Sequence, residues 1–473
     1  MATLRRLVSP YGATYDGAVD LGALRAAHRP RYLERTRKAV DGNTAAAIPF
    51  LQWWRSAIMA GFPITPATKW LEVLAREVAA GHFDGPAAPG GLPSRSKRVK
   101  LLESEHAVAD YVAGVAAACR GLVVGTATSS VGLDHMTESV RSLGASGLGN
   151  VIVVDVCRAT ANYPLCIEGD PSDLLGHRDD GFIQVMCRGV QQIYDTLVQL
   201  PAIGMHPRVL TPTMPSYYGI KDSHRSGTLV IEPDDQVNAF LDEALRSGEG
   251  AAPVVEDFLA AEGAEHPTPP GLLDGDTALG NCVTGDWFQG FKLAQKARMA
   301  ATHEVMAEVA SAFEARFGRP GLRPLELHGF DDQPEIALVC MGPDAGTAIH
   351  LLTRMRAELG VRVGIAVVRL LTPFPARALA AALEHVAAIG VVNNAHHHGR
   401  GHLTLDVEDA LHGLARTRAP IESYFCGLGG ADVSAASWSH MARITADAGT
   451  HGHAGRRWRL VHEGIEVGGE DLP

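Results

Sequence analysis

The run Val151-Ile152-Val153-Val154-Asp155-Val156 limits what this chain can fold into more than any other segment. It is β-branched almost throughout and is interrupted by a single carboxylate. A run of that kind suits a strand covered on both faces, whereas a half-solvated strand would alternate. Ile336–Cys340, Val363–Arg369 and Ile389–Asn393 read the same way, and Leu122–Gly125 is a shorter apolar run. Stretches of helical period lie between these strands, including Glu105–Arg120 and Gln289–Phe317. Asn43–Ala60 also reads as a helix, and Pro66 suits the first turn of another that runs to Ala80. Strands alternating with helices predict an α/β fold with mostly parallel sheets and right-handed crossovers.

At 473 residues the chain exceeds one ordinary core, and roughly 100–200 residues per domain suggests two to four domains. Residues 1–40 read as an Arg-rich extension that packs on something else, and 41–246 as a first α/β block. Residues 247–330 read as a linker and helical connection, because Ser247–Gly280 is dominated by Gly, Ala, Pro and acidic residues. A second α/β block spans 331–450, and 451–473 reads as a tail. A formal net charge of −11 disfavours nucleic acid or an anionic membrane as the main partner. No stretch of about 18 uncharged apolar residues predicts a membrane span, and Met-Ala-Thr-Leu-Arg-Arg opens no signal region, so a cytoplasmic location is expected. The seven cysteines are scattered, with no CxxC pair. They predict neither a disulfide framework nor a zinc or iron–sulfur site held by this chain alone. His396-His397-His398 with His402 invites a metal reading, but three adjacent histidines rarely converge on one ion; no metal ligand is assigned.

Four short segments carry the chemistry. Gly61-Phe62-Pro63-Ile64-Thr65-Pro66 falls between two helical patterns; its Gly permits close backbone approach, its prolines stiffen the loop and Thr65 offers a hydroxyl. A rigid helix–helix turn would use the same residues. Glu103-Ser104-Glu105-His106 opens the next helix, where carboxylates complement the dipole and Ser104 can cap without any ligand. Thr126, Thr128, Ser129 and Ser130 follow a strand and are placed to start a helix. Arg158 ends the Val151 strand, either as a solvated charge or as a planar fork for a carboxylate. Gly147-Leu148-Gly149 precedes a strand instead of following one, so it is not a dinucleotide fingerprint.

Taken together and in order, these segments resemble the α subunits of the pyruvate:ferredoxin oxidoreductase superfamily, the 2-oxoacid:acceptor oxidoreductases. The matching stretches are the Gly61 and Glu103 segments, Thr126-Ala127-Thr128-Ser129-Ser130-Val131-Gly132-Leu133, the strand ending in Arg158, Gly169-Asp170-Pro171-Ser172-Asp173 and His177–Gln184. They resume with Met341-Gly342-Pro343-Asp344-Ala345-Gly346-Thr347, Arg369–Pro375 and Gly427-Leu428-Gly429-Gly430-Ala431-Asp432-Val433. The resemblance implies a pyrimidine-type thiamin diphosphate-binding domain followed by a transketolase C-terminal-like domain. It implies that Glu105 hydrogen-bonds N1′ of the aminopyrimidine, with Pro63, Ile64 and Thr65 also at the cofactor. A carboxylate suits N1′ because sharing a proton there favours the tautomer that can deprotonate the thiazolium carbon. Thr65 and Arg158 match the positions that meet substrate.

The implied activity is oxidative decarboxylation of a 2-oxoacid to an acyl-coenzyme A and CO2, with coenzyme A as co-substrate and ferredoxin or another acceptor taking the electrons. None of Gly169-Asp170, Gly275-Asp276 or Gly285-Asp286 continues into Gly-Asp-Gly. The diphosphate and Mg2+ half of the site is therefore expected on a β subunit, which in the family also carries an iron–sulfur cluster. Gamma and ferredoxin-like delta subunits, in a dimer of heteromers, complete the expected assembly. Asp41-Gly42-Asn43-Thr44-Ala45 departs from the family's usual acidic residue at its fourth position. Ala159–Pro164 lies closer to the pyruvate and branched-chain pattern than to that of 2-oxoglutarate enzymes, and Tyr163, Leu165 and Cys166 are candidates to shape a pocket for a bulkier or aromatic side chain. Two other readings are a transketolase-like or pyruvate dehydrogenase-like thiamin enzyme subunit without iron–sulfur clusters, and a non-catalytic scaffold. The joint presence of Glu105, Thr65 and Arg158 argues against the scaffold.

Overall fold

The computed structural model describes residues 7–8, 14–15, 25–26, 28–80, 98–118, 121–160, 164–247, 285–414, 418–452 and 455–471. Strands β1 (Leu7–Val8) and β2 (Thr14–Tyr15) pair antiparallel. Strand β3 (Thr36–Val40) pairs with β10 (Gly227–Ile231), so the end of the N-terminal extension lies against the first block. Asp41 then caps helix α1 (Gly42–Gln52) by accepting the Thr44 N–H at 2.9 Å.

The first large sheet is built from β4 (Ser56–Gly61), β5 (Arg98–Leu101), β6 (Val123–Thr128), β7 (Val151–Cys157), β8 (Ile183–Met186) and β9 (Thr213–Tyr218). The order is β8-β9-β7-β6-β4-β5, and every one of these pairs is parallel. Strands β6 and β7 are buried along their whole length, as the Val151 run predicts for a strand covered on both faces. On one face of the sheet, Phe50 packs edge-on to Trp53 and Trp70 at ring separations of 5.1 and 5.2 Å. The crossovers include α2 (Thr68–Ala79), α3 (Glu105–Ala118), the short α4 (Val131–His135) and α5 (Thr137–Ala145), the short α6 (Ser172–Gly176) and α7 (Gly189–Gly204). After α8 (Asp234–Ser247), the long α9 (Gly285–Phe317) packs back on it through Phe313 and Phe317 against Phe240.

The second sheet has the order β11-β13-β12-β15-β16-β17-β18. Its strands are β11 (Leu325–His328), β12 (Ile336–Cys340), β13 (Val363–Val368), β15 (Ala388–Asn393), β16 (Ile421–Phe425), β17 (Arg456–His462) and β18 (Ile465–Asp471). The five inner strands are parallel, and β11 and β18 close the two edges antiparallel. Helices α10 (Ala345–Leu359), α11 (Ala376–Leu383), α12 (His402–Leu414) and α13 (Ala435–His451) cover it. One strand from this half, β14 (Leu370–Thr372), leaves it and joins the first sheet antiparallel to β8. Beside it the buried Arg369 donates to Met186 O at 2.7 Å, Thr196 Oγ1 at 2.9 Å and Glu326 Oε1 at 3.0 Å. Among the described residues no helix is long and apolar enough to cross a membrane.

Two elements differ from the sequence reading. The helix expected over Asn43–Ala60 ends at Gln52, and Ser56–Gly61 is instead a strand inside the sheet, between β6 and β5. Its composition, Ser-Ala-Ile-Met-Ala-Gly, is as compatible with a buried helix as with a strand, and periodicity alone cannot separate the two. The Gly61 loop therefore joins a strand to a helix, not two helices. The expected tail instead adds β17 and β18 to the second sheet, with Trp458 packed edge-on to Phe425 at 5.5 Å. The segment read as a linker lies mostly outside the described residues.

Candidate functional site

Strands β5, β4, β6 and β7 are adjacent and parallel, so their carboxyl ends lie along one edge of the first sheet. In open α/β sheets, ligands sit at that edge. The four segments singled out in the sequence are the four loops that leave it: Glu103–Glu105 after β5, Phe62–Pro66 after β4, Ser129–Gly132 after β6 and Arg158 after β7.

Glu105 is the first residue of α3 and is buried, 7% exposed. Ser104 turns the chain into the helix, its hydroxyl accepting the Ala107 N–H at 3.2 Å. The carboxylate faces the start of α4. A Cβ placed on Gly132 would lie 2.6 Å from Thr128 Oγ1, 2.9 Å from Ile64 Cδ1 and 3.2 Å from Glu105 Oε1. Thus Ile64, Glu105 and Thr128 converge on a bare glycine. Thr128 Oγ1 is buried and has no hydrogen-bond partner, which is costly unless a ligand or water completes it. His135, one turn on from Gly132, places Nδ1 3.5 Å from Glu105 Oε2.

Arg158 is 6% exposed. One of its terminal nitrogens donates to the Thr65 carbonyl at 2.8 Å, while Nε has no partner. Burial holds its guanidinium below the usual arginine range, the Asp173 charge opposing this. A desolvated, partly unsatisfied guanidinium is primed for an anion. Thr65 itself is exposed, and its loop is anchored from below. Asn43 Nδ2 donates to Pro66 O at 2.9 Å, and Tyr217 Oη donates to Asn43 Oδ1 at 2.8 Å.

Of the residues expected at the site, then, Ile64 and Glu105 meet at Gly132, and Thr65 meets Arg158; Pro63 is exposed on the same loop. Tyr163 lies outside the described residues. Leu165 is exposed, and the Cys166 thiol donates to Gly429 O at 3.3 Å, so it faces the second block. Residue-by-residue reading missed the roles of Thr128, Gly132 and Asn43. The signal available for Gly132 was a glycine early in a helix, where glycine is otherwise unfavourable. In the histidine run, His397 Nδ1 accepts the Gly399 and Gly401 N–H groups at 2.9 and 3.3 Å, which shapes its loop.

Residues 54–270 match the family described as pyruvate flavodoxin/ferredoxin oxidoreductase, thiamine diphosphate-binding, and residues 334–437 match pyruvate:ferredoxin oxidoreductase core domain II. Ketoisovalerate oxidoreductase subunit VorA of Pyrococcus furiosus is 30% identical over 400 residues, 84% of this chain and 91% of that one. Pyruvate synthase subunit PorA of Thermotoga maritima is 29% identical over 415 residues, 87% and 94% of the two chains. The solved 2-oxoglutarate:ferredoxin oxidoreductase from Magnetococcus marinus superposes with a TM-score of 0.60 at 16% identity, covering 87% of this chain and 65% of that one, and shares the fold. The chain belongs to the 2-oxoacid:ferredoxin oxidoreductase family, in which its relatives are α subunits. It is an enzyme subunit with a thiamin diphosphate-binding domain. The residues present fit that cofactor's aminopyrimidine end: a buried carboxylate, an unpartnered hydroxyl and a wall that one methyl group would fill.

Proposed function

We propose that this chain holds the aminopyrimidine of thiamin diphosphate at Glu105 and the carboxylate of a 2-oxoacid at Arg158, within a complex that converts the acid to acyl-coenzyme A and CO2. The observation that carries this reading is the convergence of Glu105, Thr128 and Ile64 on Gly132, one loop away from Arg158. When bound, thiamin diphosphate supplies the nucleophilic carbon and the electron sink that decarboxylation needs. Glu105 holds a proton at the pyrimidine N1′ and thereby sets the ring's tautomer. Gly132 lets the ring approach the backbone, Ile64 gives it an apolar face, and Thr128 offers a buried hydroxyl. Arg158 orients the substrate carboxylate by a charge-assisted pair, strengthened because its own surroundings exclude water.

The Mg2+ and diphosphate half of the site, and the iron–sulfur clusters, belong in this reading to partner subunits, β first and then γ and a ferredoxin-like δ. Ferredoxin or another carrier takes the electrons in the cytoplasm. Ala159–Pro164 favours pyruvate or a branched-chain 2-oxoacid over 2-oxoglutarate. Purification with all co-eluting chains, thiamin and iron assays, and a 2-oxoacid panel with coenzyme A and a viologen dye test the whole reading. Coenzyme A-dependent dye reduction by an iron-containing complex is expected. A chain that elutes alone, without thiamin and without turnover, would sink it.

A further inference from the structure

Behind the site, at the end of β7, lies a side chain that no cofactor or substrate contact accounts for. Asp173, on α6, is 1% exposed. Its Oδ2 accepts the N–H of Ser130 at 2.9 Å and the N–H of Arg158 at 2.8 Å, and its Oδ1 accepts the N–H of Leu174 at 2.8 Å. One carboxylate oxygen therefore joins the loop after β6 to the loop after β7. Ser130 opens the helix that carries Gly132, and it has φ +48°, a positive value that serine rarely adopts without outside support. Arg158 carries the guanidinium. The two backbone groups come from positions 43 and 15 residues away. The pairing of β6 with β7 brings the two loops side by side, and beyond the strand ends Asp173 ties them together, beside the Ser130 Oγ bond to Ala159 O at 3.4 Å.

A second tie runs parallel to the first. His177, just beyond α6, binds Asp180 at 2.6 Å through Nδ1 and Asp134 of α4 at 3.2 Å through Nε2. The short helix α6 is thereby tied to α4 at both of its ends. On the other side of Asp173 stand Asp155 and Cys157, and a carboxylate oxygen or thiol of each residue of the trio lies within 4.8 Å of the others. Cys157 donates to Asp155 Oδ2 at 3.2 Å. Burial, reinforced by the charge of Asp173, pushes the Asp155 carboxyl well up. Burial pushes the Asp173 carboxyl up as well, to about 6, against the pull of its three N–H groups.

We propose that Asp173 is a positioning residue for this reaction: its carboxylate sets the distance between the substrate-binding guanidinium of Arg158 and the aminopyrimidine wall at Gly132. The inference rests on the reading of Arg158 as the substrate-carboxylate partner. Shifting either backbone by a fraction of an ångström misaligns the substrate against a cofactor that is itself still held, because Glu105, Ile64 and Thr128 form no hydrogen bond with Asp173. Misplacement of that order is expensive in rate.

The test uses the assembled complex with Asp173→Ala, Asp173→Glu, Arg158→Met and the double variant Asp173→Ala/Arg158→Met. Three quantities are followed: KM and kcat for the best 2-oxoacid, the dissociation constant of oxamate (an unreactive 2-oxoacid isostere), and the affinity for thiamin diphosphate. Asp173→Ala is expected to raise KM and the oxamate constant about tenfold while thiamin diphosphate affinity stays within about threefold. In the Arg158→Met background it is expected to add less than about twofold, because two residues acting through one contact are not additive. Full additivity, or an unchanged KM in Asp173→Ala, overturns the proposal while leaving the Arg158 reading intact. An unchanged KM and oxamate constant in Arg158→Met overturns that reading and the proposal with it. Should Asp173→Ala fail to assemble, Asp173→Glu decides: it keeps the charge but moves the acceptor by one methylene. A KM raised at least about fivefold supports positioning, and an unchanged KM defeats it.

Discussion

Two sheet edges in this molecule are built alike and do different work. In both sheets a group of adjacent parallel strands ends on one side, and the loops leaving those carboxyl ends carry the glycine- and threonine-rich segments. At the first sheet the loops leave polar atoms unpartnered and buried: Thr128 Oγ1, Ser129 Oγ and Arg158 Nε. At the second sheet the corresponding loops are occupied by the first block. A Cβ on Gly342 would lie 3.0 Å from the Tyr218 ring, and one on Gly430 would lie 2.7 Å from Glu168 Cβ. Lys221 Nζ pairs with Asp344 Oδ1 at 2.8 Å, and the Gly429 N–H donates to Asp170 Oδ2 at 2.8 Å. On the proposed reading, the first edge is the ligand site and the second a brace against the chain behind it. The position at which α/β sheets bind ligands can equally receive a neighbouring loop. Asp344 Oδ2 and Asn394 Oδ1 at the second edge are also buried without partners, and it is the seated chain of the first block that tells the two apart.

The contrast can be broken most sharply at Glu105. Glu105→Gln keeps the shape of the wall but removes the proton partner, so turnover should fall about 10²- to 10⁴-fold with thiamin diphosphate still bound; steady-state rates and a thiamin assay on the same preparation check this. At the brace the effect should appear in stability instead. Lys221→Met leaves Asp344 buried without its cation, and burial already pushes that carboxyl up. A loss of roughly 3 kcal/mol is expected, read by denaturant melts, with KM for the 2-oxoacid little changed. A large KM effect there would mean that the second edge takes part in binding.

Behind the first edge, just beyond α6, stands His177, whose side chain is 4% exposed. Burial works against its charge, yet the carboxylates of Asp134 and Asp180 outweigh this and hold its pKa at about 9. Because the folded value lies above the unfolded 6.5, its contribution is fully present below pH 6.5 and disappears as pH rises through 9. Wild type should therefore outlast His177→Gln by up to about 3 kcal/mol near pH 6, the gap closing by pH 10; a gap independent of pH would contradict the assignment. The smallest effect is expected at Gly342, whose φ is +73°. Gly342→Ala should cost about 1–2 kcal/mol from backbone conformation and crowding against Tyr218, measurable as a lowered melting temperature with normal turnover.

How much of this was legible beforehand follows from the residues themselves. The Val151 run announced a doubly covered strand because its period needs no tertiary information. Ser56–Gly61 did not, since small residues satisfy a helix and a strand equally and only its neighbours in the sheet decide. Glu105 had a sufficient local explanation as a helix-opening carboxylate, so only the resemblance across several motifs singled it out. Asp173 stands in a matched segment, but the role proposed for it could not be read there: its partners include the backbone N–H groups of Ser130 and Arg158, and a backbone group leaves no side-chain pattern to read. The expected tail failed for another reason. Arg456–Asp471 alternates weakly, and although it forms a hairpin that turns at Glu463-Gly464, its place on the second sheet depends on the short pairing of Arg459 and Leu460 with β16.

Strand β14 has one more consequence. Three residues of the C-terminal half complete a sheet made by the N-terminal half, so the halves are not interchangeable parts. A fragment ending before the long helix would present β8 as an open edge, a template for wrong pairing. Recombination between related chains at the Gly/Pro-rich segment should therefore yield products that fold only when both pieces come from compatible parents. Conversely, a chain cut in that segment should reassemble from its two pieces.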